Sequence, residues 1–411
     1  MKNTYLSPRI SSQYYFCPFP FTVDTYSGCT HNCKYCFSYF GNLLISGGNK
    51  DFFSSAKKLD ISSFERVISG NPKTKTEKNL SLFVEKRIPL HWGGMSDPFC
   101  SFEGEEKTSL EMLKLLAKYD YPFIISTKNA RLIEKEYKKA FLNCKHKVLQ
   151  VSLISDRKEM ELVETHPDVQ VDKRFNMIKE IADEGVRVVV RLQPFIPLFC
   201  EKGLGVFIKR IKDAGAKAIT VEVLKVPVML TPSVKDGLHH LSEAIGYDVV
   251  TFYKKFGEPR QSDYELKKPL KEKIILAVKK KAKEVGLEFY CADNEFRYLG
   301  DSPVCCGTGD EEGFQSFNPV SNDKIFNTDK KVFSMEDVIP TKSCLDCINL
   351  GFLNLGNAFN SSACKGQSMA DKAREVWNNE KSPLSPCKFY NNIEVMGKDK
   401  DGNLVYKKKR K

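Results

Sequence analysis

Short apolar runs alternate with amphipathic stretches through the first half of the chain. Phe21–Tyr26, Ile88–Trp92, Phe123–Ser126, Lys147–Ile154, Val186–Leu192 and Lys217–Val223 are apolar and bounded by turn residues, so each predicts a buried strand. Between them, Glu105–Lys118, Ala130–Ala140, Asp172–Ala182 and Gly205–Ile211 repeat their apolar side chains at helical spacing. Leu110, Leu113, Leu116 and Ala117 make one face of the first; Phe175, Ile178 and Ile181 make one face of the third. Strands joined through helices predict a parallel sheet with helices outside. Six strands linked by right-handed crossovers can curl into an incomplete barrel, with chemistry at the strand C-terminal ends. The pattern alone also admits an open doubly wound sheet. That fold carries a Gly-rich fingerprint after its first strand; here a cysteine loop follows instead.

Two stretches break the rhythm. From Phe37 to Arg87 only Ile61–Ile68 has helical spacing; the rest is expected as loop, part of it a lid. That is long for a barrel connection. Beyond Leu224, Ser233–Ala244 and Lys271–Val285 predict helices and Leu287–Cys291 a strand. The expected organisation is an N-terminal extension (1–20), a barrel (21–230) with an insertion (37–87), a helical extension (231–290), a cysteine-rich module (291–396) and a basic tail (397–411).

The 411 residues, 41% hydrophobic and 28% charged, can bury a substantial core. No apolar run approaches bilayer length, so no membrane partner is expected. Met1 to Tyr5 lacks the apolar core of a secretory signal. Fourteen cysteines without such a signal point to metal ligation in a reducing cytoplasm rather than to disulfides. The net charge is +12, and Lys407–Lys411 supplies five of those charges. Such a run either attracts phosphate backbones by counterion release or is a solvated, disordered end; the second is the expectation for the run by itself.

After the first strand and Gly28 comes Cys29-Thr30-His31-Asn32-Cys33-Lys34-Tyr35-Cys36. Three thiols this close let one loop wrap its sulfurs around one centre. A cubane iron–sulfur cluster takes four ligands, and this loop offers three, leaving one iron open to a ligand that is not protein. Structural zinc is the rival, with His31 or a distant cysteine as fourth ligand.

Polar residues also gather at the predicted strand ends. Gly93-Gly94-Met95-Ser96-Asp97 follows the second strand; its glycines let backbone approach a ligand, or it is a tight turn capped by Asp97. Lys128 follows the third strand, where it would pair a carboxylate or sit exposed on the surface. Ser152 on the fourth strand, and Arg191 and Gln193 on the fifth, are polar within apolar runs. A bound zwitterion with a ribose would satisfy them in a barrel interior; on the outer face backbone would do so.

The C-x3-C-x2-C loop, with aromatic Tyr35 before its last cysteine, resembles the radical S-adenosylmethionine (SAM) superfamily. Asp24–Cys29, Ser96–Phe99 with Glu103, Ser126-Thr127-Lys128, Val151–Ile154, Glu164 with Pro167, Arg174, Gly185, and Pro194 with Pro197 resemble its spore photoproduct lyase-like (DNA repair photolyase-like) group. The resemblance spans about half the chain, from Phe21 to Glu222. Thr165-His166 separates Glu164 from Pro167, which the group usually has adjacent. The resemblance implies an α/β partial (β/α)6 TIM-like barrel of the radical SAM type, followed here by a cysteine-rich irregular C-terminal module. It implies a [4Fe-4S] cluster on Cys29, Cys33 and Cys36. It implies S-adenosyl-L-methionine on Tyr35, Gly93, Gly94, Ser96, Asp97, Lys128, Ser152, Arg191 and Gln193. It also implies reductive cleavage of SAM, hydrogen abstraction from substrate, and an electron donor such as flavodoxin or ferredoxin.

Cys291, Cys305, Cys306, Cys344, Cys347, Cys364 and Cys387 lie in a region poor in apolar periodicity. Cys291, Cys305, Cys344 and Cys347 are a candidate second site for an iron–sulfur cluster or zinc. The photolyase-like resemblance offers another use, a hydrogen-donor thiol among Cys291, Cys305 and Cys306. Three functions follow: a radical SAM enzyme acting on a nucleic acid base or lesion in DNA or RNA, one modifying a peptide, protein or small metabolite, or a non-enzymatic zinc-binding nucleic-acid module. His146, His166, His239 and His240 have no ligand spacing and read as surface or packing residues.

Overall fold

Eight strands share one sheet in the computed structural model of the protein, which describes residues 4–5, 8–11, 17–45, 51–314, 329–338, 369–382, 385–390 and 392–409. They are β1 (Arg9–Ile10), β2 (Phe21–Val23), β3 (Leu90–Trp92), β4 (Phe123–Thr127), β5 (Lys147–Ser152), β6 (Val188–Phe195), β7 (Ala218–Val223) and β8 (Glu288–Cys291). Each pairs with its neighbours in chain order, and β2 to β8 are all parallel. Helices Thr108–Lys118, Lys135–Leu142, Val171–Asp183, Leu204–Asp213 and Lys268–Glu284 connect the successive strands from β3 to β8. This is the partial barrel that the resemblance implies, one of the two folds that the strand–helix alternation admits. Two strands were not expected in it. β8, read from the sequence as the end of a helical extension, is a seventh parallel strand, and β1 adds an antiparallel edge.

Alternation along each strand sorts side chains to two faces. Ile125, Leu149, Val190, Leu192, Ile219 and Val221 join the main core beneath the helices. The opposite face begins apolar: Ile124, Val148, Val189, Ala218 and Tyr290 pack with Phe19 and Cys306. Further along the same strands that face becomes polar, first with Ser126, Gln150, Arg191 and Thr220, then with Ser152, Gln193 and Glu222. The barrel interior is thus greasy at the strand beginnings and hydrogen-bonding at the ends. Each fully buried Val or Ile contributes about 1.5–3 kcal/mol, so the greasy half anchors the fold.

Residues 304–314 close the greasy end. Gln150 donates to the Cys306 carbonyl at 2.7 Å, Arg187 to the Gly307 carbonyl at 2.7 Å, and Phe314 stacks edge-on against Phe19. Gly307 has φ +67°, and a Cβ there would sit 3.0 Å from Val189. Cys305 and Cys306, assigned from sequence to a separate module, therefore belong to the barrel floor.

The 37–87 insertion is mostly helical rather than loop. Helix Phe37–Ile45 leaves the cysteine loop directly, and Lys75–Glu85 starts with a capping box between Thr74 and Glu77. Helix Ile61–Ile68 stands where its spacing predicts, and Phe64, Val67, Leu80 and Phe83 join the main core. A second insertion follows β7. Helices Pro232–Ile245 and Val249–Phe256 and a three-stranded sheet (Val226–Pro227, Gly257–Arg260, Asp263–Leu266) build over the barrel mouth. The expected basic tail is also structured: Leu404–Lys408 pairs with Ile393–Lys398, and Trp377, Tyr406 and Phe333 form a small core beside it. Among the described residues, no helix is long and apolar enough to cross a membrane.

Candidate active site

A cavity of about 560 Å³ opens at the polar end of the barrel. The three thiols of the cysteine loop line it, as do Tyr35, Gly93, Gly94, Ser96, Asp97, Lys128, Ser152, Arg191 and Gln193. All twelve residues expected at one site are therefore together. The chemistry of that lining differs from the expectation in several particulars.

The cysteine loop is held on three sides. Cys29 N–H donates to the Phe52 carbonyl at 2.9 Å, and Lys34 N–H to the Val163 carbonyl at 2.9 Å. Cys36 stands at the N-terminus of helix Phe37–Ile45, and its sulfur accepts from Tyr39 N–H at 3.4 Å. Those amides favour a thiolate. Burial works against it and pushes Cys36 up to about 11; burial likewise raises Cys33. Cys29 is raised first by its hydrogen bond with Cys100, a buried thiol behind the loop, and then by burial. A metal centre here would displace protons as it binds. Among the described residues, no three His, Cys, Asp or Glu side chains surround a single ion position.

Beneath Tyr35 lies a buried ion cluster. Glu164 accepts from Tyr35 OH, from Lys128 Nζ at 3.0 Å and from Arg174, and is 1% exposed at its side chain. Arg174 also donates to the Ser152 and Val169 carbonyls at 2.7 Å. Lys128 lines the cavity, but its charge is already paired. Arg191 is different. It donates to Ser126 at 2.9 Å and Gln193 at 2.7 Å, and no described carboxylate lies within ion-pair distance of it. Burial lowers its pKa, against the pull of Cys306 and Glu222. The group left to meet an anionic ligand is Arg191.

The turn after β3 resolves into backbone and braces. Asp24 accepts from Met95 N–H at 2.8 Å and Ser96 N–H at 3.2 Å, and Ser96 donates to the Tyr26 carbonyl at 2.5 Å. Asp97 accepts from Thr127 Oγ1 at 2.9 Å, Lys128 N–H at 2.6 Å and Phe99 N–H at 2.9 Å. The Ser96 and Asp97 side chains thus brace the turn. Gly93 has φ +84°, and a Cβ there would sit 2.4 Å from the Ser126 carbonyl oxygen; a Cβ on Gly94 meets nothing within 4 Å. Gly93→Ala should destabilise the fold by about 1–3 kcal/mol. Gly94→Val should leave the melting temperature unchanged, because its side chain would meet open space.

Sequence reading missed the opposite wall. Glu222 near the end of β7 and Lys225 just beyond it pair at 2.8 Å, and the hairpin turn adds Ser262 and Asp263 to the same wall. Phe37, Phe40 and Leu44 line the cavity from the unexpected helix. The Thr74-x-x-Glu77 capping signal marked a second missed helix; nothing in Gly257–Leu266 marks the hairpin. Of the four candidate ligands for a second metal site, Cys291 is buried in the β8 wall and Cys305 sits at the floor, while Cys344 and Cys347 lie outside the described residues. His146 bonds the Glu312 carbonyl at 3.1 Å, His166 accepts from Asp168 N–H at 3.2 Å, and His239 and His240 are exposed.

Solved structures of spore photoproduct lyase are similar in fold. One, complexed with dinucleoside spore photoproduct, superposes with a TM-score of 0.50 at 11% identity, covering 70% of this chain and 82% of that one. Another, a cysteine-to-serine mutant, gives 0.50 at 13% identity over 66% and 77%. No family model and no curated protein matches the sequence. At these identities the likeness establishes a shared fold.

Proposed function

We propose that this chain, on the fold it shares with spore photoproduct lyase, is a radical SAM enzyme. One observation carries the reading: three thiols of a single loop line the same cavity as an open backbone turn and a half-buried Arg191 that has no described carboxylate within ion-pair distance. Cys29, Cys33 and Cys36 would hold a [4Fe-4S] cluster, and Gly94, Ser152, Arg191 and Gln193 would hold SAM beside it. When bound, the pair supplies one-electron cleavage of the S–C5′ bond and a radical that takes hydrogen from substrate. Arg191 offers its guanidinium to the carboxylate of the zwitterion. Gly94 lets that ligand approach the chain closely. Lys128, Tyr35 and Glu164 keep the loop rigid, and the hairpin turn at Ser262 shields the mouth from water.

For the substrate we propose a nucleobase presented out of its stack. A mouth roofed by the 261–263 turn admits a single base more readily than a duplex, and a fold relative has been solved with a dinucleoside. A second reading has its own support. Glu222 and Asp263 face the cavity, and carboxylates there favour a cationic group on a peptide or small metabolite.

Anaerobically reconstituted protein, reduced with dithionite in the presence of SAM, is expected to form 5′-deoxyadenosine. If it holds iron and forms none, the enzymatic reading fails. Single-stranded DNA or RNA is expected to bind with affinity falling steeply between low and high salt. Negligible binding at low salt would instead leave the cationic-substrate reading.

A further inference from the structure

One side chain of the cysteine loop has no task in the reading above. His31 lies between Cys29 and Cys33, lines the cavity and is 1% exposed. Neither ring nitrogen makes a hydrogen bond of ordinary geometry to a described residue, although the Cys29 thiol stands close enough to act on the ring. A buried polar atom left dry costs about 1–3 kcal/mol, so an imidazole with two of them implies something beyond the chain to meet it.

The ring is also aimed. Asp97 Oδ2 stands 3.5 Å from Nδ1, within Coulomb range but beyond an ordinary hydrogen bond. Asp97 cannot drift, because Thr127 and two backbone amides hold it. On the other side His166 packs with ring centroids 5.8 Å apart. A histidine that only filled space would turn its edges to apolar neighbours. This one is set between a carboxylate, Cys29 and the cavity.

We propose that His31, oriented by Asp97, is a positioning residue that donates an N–H to the sulfur shell of the cluster, at the Cys29 thiolate or a bridging sulfide. The inference rests on the cluster assignment above. Hydrogen bonds to sulfur stabilise the reduced, more negative cluster more than the oxidised one, and so raise its potential. His31 then makes the cluster easier to reduce.

The test is an EPR-monitored potentiometric titration of the full chain as wild type, His31→Ala and His31→Gln. His31→Ala should retain its iron and shift the reduced-to-oxidised ratio about tenfold toward oxidised, equivalent to about 59 mV for one electron. His31→Gln keeps an N–H donor and should recover most of that shift. Wild-type protein with 15N-histidine should show nitrogen coupling to the reduced cluster in pulsed EPR, retained in His166→Gln. An unchanged potential in iron-replete His31→Ala overturns the inference. Absence of the coupling also does so, and that measurement decides if His31→Ala loses its iron. A wild-type protein without any cluster would overturn the proposed function instead, so the two failures are told apart.

Discussion

Replacing Glu164 with alanine is expected to destabilise the protein by about 3–5 kcal/mol, because it strands a fully buried arginine without a counter-charge. Arg174 is 0% exposed at its side chain, and Glu164 is its ion-pair partner. Removing the carboxylate also frees Tyr35 and Lys128, which tie the cysteine loop to the segment after β5. Urea unfolding should show a lower midpoint at unchanged slope. Iron loading should fall as well, since the loop loses its brace. The same carboxyl gives a pH signature. Burial raises its pKa, but Arg174 and Lys128 outweigh that and hold it at about 2. Its stabilisation is present above the unfolded value near 4.3 and is lost as pH falls toward 2. Glu164→Gln should therefore flatten the stability profile in that acid window. A wild-type profile already flat there would contradict this account of the cluster.

Cys33→Ala should abolish cluster loading and bring 5′-deoxyadenosine formation down to the level of reagents without protein. Cys33 is buried at the cavity wall and bridged through its backbone to Glu164, and alanine preserves that backbone. The fold should survive. Cys144→Ala is the matched control: its thiol is buried against the Leu113 and Ala140 carbonyls, away from the cavity. It should keep its iron. Equal iron in the two variants would mean that the loop is not the ligand set.

Much of this was legible in the chain because two strong periodicities overlap. Alternating strands and helices predict a parallel sheet, the cysteine loop after the first strand argues for a barrel over an open sheet, and polar residues at the strand ends mark its mouth. Tightly spaced thiols mark the reactive corner. Where the reading failed, the cause was physical. Phe37–Ile45 carries no charge pattern and a glycine, so its helix is stabilised by packing rather than announced by propensity. The Gly257–Leu266 hairpin is short and polar, and its turn residue Gln261 adopts φ 56° without the glycine that usually signals one. Lys128 was identifiable as a site residue but its partner was not. Glu164 is distant in sequence, and only folding shows that it neutralises the lysine and leaves Arg191 as the unpaired cation. Cys305 and Cys306 looked like members of a separate module because their neighbours in sequence are polar; the apolar surroundings come from five strands and Phe19.

The plug formed by residues 304–314 shuts the floor, so among the described residues the cavity opens at the strand C-terminal ends, beside the hairpin turn. Whatever enters must pass the hairpin turn, and whatever sits nearer that turn blocks what lies deeper. Under the proposed function this would set the binding order: the sulfonium ligand first and the molecule to be altered second. Departure runs in reverse, so a slow-leaving product would also retain the spent nucleoside. A substrate lodged in the doorway would then protect the metal centre from dioxygen.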